Sequence, residues 1–264
     1  MARTISIANQ KGGVGKTTTA VNLGAALSEA GQRVLLIDLD AQAHLTINMG
    51  VKSPDQLDKT IYDLLVDHAT TVNDVVMESK EMGVHFVPAN IELSGAEIQL
   101  FNEIGREGVL KEKLEGARRR YDYIVIDCPP SLSLLTLNAF VASDEVIIPL
   151  QCEYFGMKGM QQLLNTIDRV RAKLNPRLKI DGILPTIFKA RTLHSQEVLQ
   201  LVRENFGGSV YDFAVKDSIR FAESPLAGTS ILQYAGASDG ARVYRLLAES
   251  VMETNHQNVK GARG

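Results

Sequence analysis

The sequence predicts an α/β protein built on a doubly wound, mostly parallel sheet that is flanked by helices. Short apolar runs recur along the chain, and the segments between them carry apolar residues at helical spacing. Two of the runs, residues 34–37 (VLLI) and 124–126 (IVI), are apolar at every position. Strands with this pattern are covered on both faces, and strands that alternate with helices form parallel crossover units.

Six strands and at least four helices follow from this pattern. The strands are predicted at residues 5–8, 34–37, 84–88, 123–126, 146–150 and 180–185. Helical spacing is clearest at residues 17–30, 134–141, 157–174 and 195–205, while residues 52–58 and 207–216 are predicted as loops. We expect one domain over residues 1–254, followed by a polar, frayed tail from 255 to 264.

The composition favours a globular protein of the cytoplasm. Of the 264 residues 45% are hydrophobic and 22% are charged, which argues against global disorder. No apolar run approaches the roughly 18 residues of a membrane-spanning helix. A strand-like run begins at Thr4 without a basic leader, so we expect no secretory signal. Two cysteines, Cys128 and Cys152, cannot build a disulfide framework.

Charge is distributed unevenly between the two halves of the chain. The net charge is −3, but residues 1–150 carry 13 basic and 20 acidic residues, whereas residues 151–264 carry 15 and 11. A basic second half is compatible with a nucleic-acid partner, and a solvated charged face explains it equally well.

A glycine-rich loop between the first strand and the first helix predicts a nucleotide site. Residues 9–18 read NQKGGVGKTT. Glycines at 12, 13 and 15 allow backbone N–H groups to face phosphate oxygens, and the following helix adds its positive end. Lys16 would neutralise the β- and γ-phosphates, and the Thr17 hydroxyl would bind Mg²⁺. Val14 and Thr18 complete the predicted phosphate contacts.

Acidic residues follow two of the buried strands. Asp127 ends the strand at 123–126, the usual place for a carboxylate that orients Mg²⁺ or its waters. Asp38 and Asp40 come after the strand at 34–37, and two residues apart they point the same way if the chain is still extended. Asp38 could instead only cap the end of its strand.

Three motifs together resemble the ParA/Soj chromosome and plasmid partition ATPases. These are residues 9–18, residues 36–42 (LIDLDAQ) and residues 124–131 (IVIDCPPS). Lys11 marks the deviant class of phosphate loop (deviant Walker A), and the resemblance runs from Ile5 to about Ser250. It implies ATP and Mg²⁺ as cofactors and a phosphate-loop NTPase fold.

The resemblance also implies roles for individual residues. Lys11 would reach across a homodimer to the partner's ATP, with Lys16 and Asp40 as the other catalytic residues. Asp40 would position the attacking water, and Asp38 would support the metal that Thr17 and Asp127 hold. Thr186 and Lys216 would lie near the adenine.

Two further segments resemble the family's DNA-binding motifs. These are residues 188–192 (FKART) and 218–224 (SIRFAES). They imply non-specific double-stranded DNA binding through Arg191 and Arg220, with Lys189 as an additional phosphate contact, although each arginine could be a surface ion pair. The implied protein is cytoplasmic and nucleoid-associated, and a ParB-like centromere-binding partner stimulates its slow ATP hydrolysis.

Other functions of the same scaffold remain open at this stage. A partition-type ATPase can instead position a protein cargo on the nucleoid, and only the partner separates these roles. A MinD-like ATPase of the membrane surface needs a C-terminal amphipathic helix, which residues 255–264 (NHQNVKGARG) do not resemble. A nitrogenase-type iron protein needs two cysteines per chain that converge on the dimer axis.

Two positions depart from the family pattern. Ala41 stands where relatives commonly have proline, which leaves the backbone after Asp40 less constrained. Lys216 stands where relatives often carry a proline near the adenine.

Overall fold

A seven-stranded sheet organises the protein. The computed structural model describes the backbone of residues 1–152, 156–189 and 192–261, and their side chains except at 156–158, 193, 194 and 254–261. The strands are β1 (Arg3–Ile7), β2 (Val34–Asp38), β3 (Met77–Ser79), β4 (Val84–Val87), β5 (Tyr123–Asp127), β6 (Glu145–Gln151) and β7 (Lys179–Thr186). Their order in the sheet is β3-β4-β2-β5-β1-β6-β7.

All the strand pairs of this sheet are parallel except one. β1 lies between β5 and β6, β2 lies between β4 and β5, and β7 pairs with β6. Only β3 runs antiparallel, along β4 at the edge. Since the carboxyl ends of parallel strands meet at one edge, the register places Ile7, Asp38 and Asp127 side by side.

Twelve α-helices among the described residues connect and cover the strands. They are α1 (Lys16–Glu29), α2 (His44–Asn48), α3 (Ile61–Val66), α4 (Val72–Val75), α5 (Ala96–Gln99), α6 (Val109–Leu114), α7 (Leu134–Ala142), α8 (Gly156–Lys173), α9 (Leu193–Phe206), α10 (Arg220–Leu226), α11 (Ile231–Tyr234) and α12 (Asp239–Gly261).

The sheet is covered on both faces, as the apolar strand runs predict. Successive residues of β5 point into different cores: Ile124 and Ile126 pack on one side, and Tyr123 and Val125 on the other. The first core also contains buried residues of α3, α6, α7 and α8. The second contains α1, α11 and α12. This arrangement confirms the doubly wound α/β class.

The structure differs from the sequence prediction at the edge, in the loops and at the end of the chain. All six predicted strands are present, but β3 was not predicted because three residues with one buried side chain carry no usable pattern. Short 3₁₀ turns occur in both predicted loops, at Pro54–Gln56 and Gly207–Ser209. Helix α12 extends through Gly261, since no proline interrupts it, whereas a frayed tail was expected from residue 255. Residues 262–264 lie outside the described residues.

Candidate functional site

The glycine-rich loop has the backbone that the sequence predicts. Gly13 and Gly15 have φ angles of 71° and 86°, in the left-handed region that a side chain disfavours. Gly15 is the N-cap of α1 and makes no side-chain cap. The first N–H groups of α1 therefore face the loop, which suits an anionic ligand.

β7 supports this loop from the side. The Thr186 hydroxyl donates a hydrogen bond to the Val14 carbonyl at 2.8 Å. A Cβ at Gly15 would lie 3.9 Å from the Thr186 side chain, so the loop packs directly on the end of β7. Thr186 therefore supports the loop through this contact, and it also lines the cavity described below.

The two lysines of the loop occupy different places. Lys16 is buried, and its ammonium donates to the Lys11 carbonyl at 3.2 Å. Burial lowers the pKa of Lys16, although Asp127, Cys128 and Asp40 act in the opposite direction. The Lys11 ammonium instead donates to the side-chain oxygen of Gln151, at the end of β6, at a distance of 3.0 Å.

Asn9 fixes the start of the loop to the sheet. Its amide nitrogen donates to the Pro149 carbonyl at 2.7 Å, and its side-chain oxygen accepts from the Lys11 N–H at 3.0 Å. Lys11 is therefore held by its backbone at Asn9 and by its ammonium at Gln151. These two neighbours extend the site beyond the residues predicted for it.

Asp38 is completely buried at the end of β2 and is fully hydrogen-bonded. One carboxylate oxygen accepts from the N–H and hydroxyl of Thr46 at 2.8 and 2.7 Å, and the other accepts from the Asp40 N–H at 3.2 Å. Burial raises the pKa of Asp38 to about 6 despite these hydrogen bonds. Asp38 therefore orders the chain from Asp40 to Thr46 and is more than a strand cap.

Asp127 is buried beside Asp38, but its carboxylate is not satisfied. Neither oxygen has a hydrogen-bond partner of good geometry among the described residues. Burial and the neighbouring Asp38 raise its pKa well above the usual range, while the Thr17 hydroxyl and Lys16 are close enough to oppose this. An unpaired buried carboxylate next to a hydroxyl fits the oxygen ligands that Mg²⁺ prefers. The predicted metal residues therefore suit a magnesium ion.

A cavity of about 560 Å³ lies over the loop and is large enough for a nucleotide. Gly12, Lys16, Thr17, Thr18 and Asp40 form one part of its wall, together with Gly13 and Gly15. The rest of the wall comes from distant segments, and its members are Gln42, His44, Asn48, Pro130, Thr186, Ile187, Val215, Lys216, Asp217, Ser218, Phe221, Ala222, Pro225 and Tyr244.

Backbone strain occurs twice at this cavity. Ile187 and Ala43 are the two non-glycine residues with positive φ among the described residues, at 52° and 53°. Ile187 lines the cavity, and Ala43 lies between two residues that do. A β-branched residue in this conformation is costly, and such strain is concentrated at functional sites.

The predicted adenine and DNA residues lie beyond the phosphate loop. Lys216 lines the cavity, but its ammonium pairs with Asp239 at 2.8 Å. Backbone hydrogen bonds join Phe188 to Val215 and Asp217, which brings the two predicted DNA segments together. Lys189 and Arg220 are exposed there. Arg191 lies outside the described residues.

Sequence reasoning missed the far wall of the cavity and several supporting residues. Phe221, Pro225 and Tyr244 come from the last third of the chain. Phe221 belongs to the segment 218–224 that was predicted to bind DNA, and no motif marks Pro225 or Tyr244. Gln151 and Thr46 were also missed, because their roles depend on which residues the fold places beside Lys11 and Asp38.

Comparisons with known proteins identify the family of this chain. A family model described as an AAA domain matches residues 2–180. The sporulation initiation inhibitor protein Soj of Bacillus subtilis is 46% identical over 95% of this chain and 98% of its own length. The chromosome partitioning protein ParA of Caulobacter vibrioides is 44% identical over 95% of this chain and 94% of its own length.

This chain belongs to the ParA/Soj family of ATPases. A solved structure has a similar fold: the cobyrinic acid a,c-diamide synthase of Mycobacterium smegmatis, with bound ATP analogue and magnesium, has a TM-score of 0.85 and 38% identity. The similarity covers 96% of this chain and 95% of the synthase chain. The ParA/Soj protein described here accordingly uses ATP and Mg²⁺.

Two other observations concern the helices and the cysteines. Over residues 1–152, 156–189 and 192–261, none of the helices combines the length and the apolar character needed to cross a bilayer. Cys128 and Cys152 are both buried, and the described residues contain no cluster of three or more His, Cys, Asp or Glu side chains arranged for a metal. Burial raises the pKa of the Cys152 thiol to about 11, which suits an inert side chain.

Proposed function

We propose that this ParA/Soj protein is an ATP-dependent dimerising switch that binds DNA without sequence preference. ATP hydrolysis, stimulated by a ParB-like partner, would release the dimer and drive the partitioning of a chromosome or plasmid. The observation that carries the proposal is that the two lysines of the loop occupy different positions. Lys16 is buried in its own loop, whereas the Lys11 ammonium lies at the end of β6, next to Gln151.

The chemistry follows from the residues around the cavity. The loop N–H groups and Lys16 would hold the phosphates, and Asp40 would orient the attacking water. When bound, Mg²⁺ supplies positive charge that offsets charge on the phosphate oxygens. Thr17 and Asp127 would hold it, and Asp38 would keep Asp40 in place through its contact with the Asp40 N–H.

Dimerisation would depend on the γ-phosphate. If Lys11 exchanges Gln151 for a phosphate oxygen of the second protomer, its charge is used only when triphosphate is present. The dimer would then double the number of basic contacts offered to DNA, so DNA affinity would rise steeply on dimerisation and fall with salt. Lys189, Arg191 and Arg220 are the proposed contacts, in a half of the chain with a basic surplus.

We expect Lys11→Ala and Asp40→Ala to separate dimerisation from hydrolysis. Lys11→Ala should bind ATP as a monomer, because the cation that reaches the second protomer is lost. Asp40→Ala should accumulate as an ATP-bound dimer, since the attacking water is no longer oriented, with hydrolysis reduced at least about tenfold. Gel filtration with and without ATP, together with phosphate release, checks both outcomes. A monomeric Asp40→Ala protein in ATP would contradict the role given to that carboxylate.

We expect Arg220→Glu to weaken DNA binding while leaving the ATP-dependent dimer intact. Arg220 is exposed at the start of α10, so reversing its charge removes a phosphate contact without disturbing the core. Binding to a random-sequence duplex, measured by fluorescence anisotropy at several salt concentrations, should weaken by about tenfold or more. Lys80→Glu, at an exposed turn after β3, is the matched control. Equal losses in both variants would show that net charge alone is responsible.

Two related functions use the same switch. Positioning of a protein cargo on the nucleoid predicts the same dimer and the same DNA binding, so only the identity of the partner separates it. A membrane-surface ATPase predicts ATP-dependent flotation with anionic liposomes. The relatives named for sporulation and chromosome partitioning are 46% and 44% identical, above the 38% of the synthase structure, which favours partition.

A further inference from the structure

We propose that Gln151 holds the Lys11 ammonium in the single protomer and thereby sets how much dimer forms with ATP. Gln151 is the last residue of β6, and its side-chain oxygen accepts a hydrogen bond from Lys11 at 3.0 Å. Both residues are half-buried, so water screens this contact only in part. Gln151 is a positioning residue, because it acts on the phosphates of a second protomer only through Lys11. The inference rests on the proposed function, in which Lys11 reaches across a dimer.

The backbone of Lys11 is fixed on both sides of the residue. Its N–H donates to the Asn9 side chain at 3.0 Å, and its carbonyl accepts from the Lys16 ammonium at 3.2 Å. Asn9 in turn donates to the Pro149 carbonyl of β6 at 2.7 Å. Exchange of Gln151 for another acceptor is therefore a rotation of the Lys11 side chain, which does not require the phosphate loop to move.

The sheet fixes the position of Gln151. β6 pairs with β7 along its length, and Gln151 is the register partner of Thr186. The Thr186 hydroxyl donates to the Val14 carbonyl of the phosphate loop at 2.8 Å. The two strand ends that are already joined to the loop thus include the acceptor for Lys11. The lysine therefore meets a preformed acceptor in the isolated protomer.

The uncharged amide of Gln151 is an acceptor that a phosphate can replace. A hydrogen bond from an ammonium to a neutral amide is weaker than one to an anionic oxygen. Lys11 therefore leaves the amide when the triphosphate of a second protomer comes within reach, and it returns when that phosphate is released. A carboxylate at position 151 would instead form an ion pair with Lys11 and compete with the triphosphate.

This contact lowers the stability of the dimer relative to the single protomer. Because dimerisation breaks the contact between Lys11 and Gln151, the free energy of that contact opposes dimerisation. A protomer that meets no triphosphate keeps the contact, since nothing replaces it. Gln151 thus suppresses dimers that lack ATP and favours separation of the protomers after hydrolysis.

The first test measures dimerisation by sedimentation velocity, with Mg²⁺ and a non-hydrolysable ATP analogue. We expect Gln151→Leu to lower the dimer dissociation constant about threefold or more, because it removes a contact that only the single protomer makes. Gln151→Glu should raise it about tenfold or more, because an ion pair replaces the neutral contact. Opposite effects of two substitutions at one position cannot come from a common loss of folding. Equal dissociation constants in the three proteins, or a weaker dimer of Gln151→Leu, would overturn the proposal.

Control variants separate this inference from the proposed function. Gln32 is also half-buried but lies before β2, at the amino end of that strand, so Gln32→Leu and Gln32→Glu should dimerise as the wild type does. The same shifts in these controls would show a general effect of charge and overturn the inference. In the Lys11→Ala background, changes at Gln151 should leave the protein monomeric, and a dimer restored by Gln151→Leu would also overturn it. ATP-dependent dimers of Lys11→Ala itself would instead contradict the proposed function.

A second readout does not depend on dimerisation. In the absence of nucleotide, we expect acetic anhydride to acetylate Lys11 about threefold faster in Gln151→Leu than in the wild type, because the hydrogen bond to Gln151 protects the amine. Acetylation in Gln151→Glu should be slower. Exposed Lys80, after β3, is the internal reference, and mass spectrometry of proteolytic fragments gives both rates. Equal Lys11 rates in the three proteins would overturn the contact, and altered rates with unchanged dimerisation would overturn its effect on the dimer.

Discussion

At the scale of single residues, the site contains two adjacent carboxylates, and both are buried. Asp38 and Asp127 are register partners at the ends of β2 and β5. Burial is the main cause of the raised pKa of both carboxyl groups, and the neighbouring Asp38 raises the pKa of Asp127 further. Their raised pKa values mean that the charged forms cost free energy in the folded state, a cost that bound Mg²⁺ would offset.

This pair gives a pH dependence with a definite sign. The folded-state pKa of Asp38 is about 6, against an ordinary value of 3.8. The unfolded chain therefore loses this proton first, and the corresponding part of the free energy of unfolding falls as the pH rises from about 4 to about 6. Asp127 acts in the same direction, because its pKa is also raised.

We expect Asp127→Asn to be more stable than the wild type in the absence of nucleotide, by an amount that grows as the pH rises. The amide cannot ionise, so the variant should gain on the order of 1–3 kcal/mol near pH 7.5 and much less near pH 4.5. It should also lose the extra stability that Mg²⁺ with ATP gives the wild type. Urea unfolding at both pH values checks this, with exposed Asp58→Asn as the control. A less stable Asp127→Asn protein near pH 7.5 would contradict the expectation.

At the scale of secondary-structure elements, the position of α1 depends on a close approach to the sheet. Gly24 lies in the middle of α1, and a Cβ built there would be 2.5 Å from the Leu36 side chain of β2. Leu36 is completely buried in the core that covers this face. Since α1 carries Lys16 and Thr17, this contact helps to set where the phosphate loop ends.

We expect Gly24→Ala to destabilise the protein, although alanine is the better helix former. The gain in helix propensity is about 1 kcal/mol, whereas an overpacked core costs about 1–3 kcal/mol. Nucleotide affinity should fall as well, because α1 would shift away from β2. Urea unfolding and binding of a fluorescent ATP analogue check the two effects. Gly95→Ala is the matched control, since nothing lies within 4 Å of its Cβ position. Equal stability of the two variants would show that α1 has room to adjust.

At the scale of the whole molecule, one arginine links the start of the sheet to the C-terminal helix. Arg3 of β1 donates to Glu145 of β6 at 2.5 Å and to Asp181 of β7 at 3.0 Å. It also donates to the Val251 carbonyl in α12, and Asp181 accepts from the Tyr211 hydroxyl. The three charged side chains are nearly inaccessible to solvent, so this cluster joins segments from the two ends of the chain.

We expect Arg3→Leu to lower the free energy of unfolding by about 3–5 kcal/mol, because two buried carboxylates lose their counterion. The double variant Arg3→Leu/Glu145→Leu should recover part of that loss, because the Glu145 carboxylate that Arg3→Leu leaves without its counterion is also removed. Urea unfolding of the three proteins tests this. A double variant that is less stable than Arg3→Leu would show that packing of Glu145, and not its charge, dominates.

The sequence alone predicted six of the seven strands, the phosphate loop and the carboxylates that follow β2 and β5. Strands buried on both faces are apolar at every position, which made β2 and β5 visible, and the loop at 9–18 needs particular residues at fixed spacing. Each of these features can be predicted from residues that are close together in the sequence. The short edge strand β3 and the cavity wall at Pro225 and Tyr244 could not be predicted, because no local pattern marks them, and the motif that contains Phe221 predicted DNA binding instead of a place at the cavity.

Tertiary structure decided what the predicted residues touch. Only the strand order places Asp127 beside Asp38, sets Gln151 next to Lys11 and packs Thr186 on the loop. It also decided that Ile98 and Phe101, which could have been core residues by composition, face solvent. The physical reason is that burial and pairing depend on contacts between distant segments, while the sequence pattern reports only the periodicity of one segment at a time.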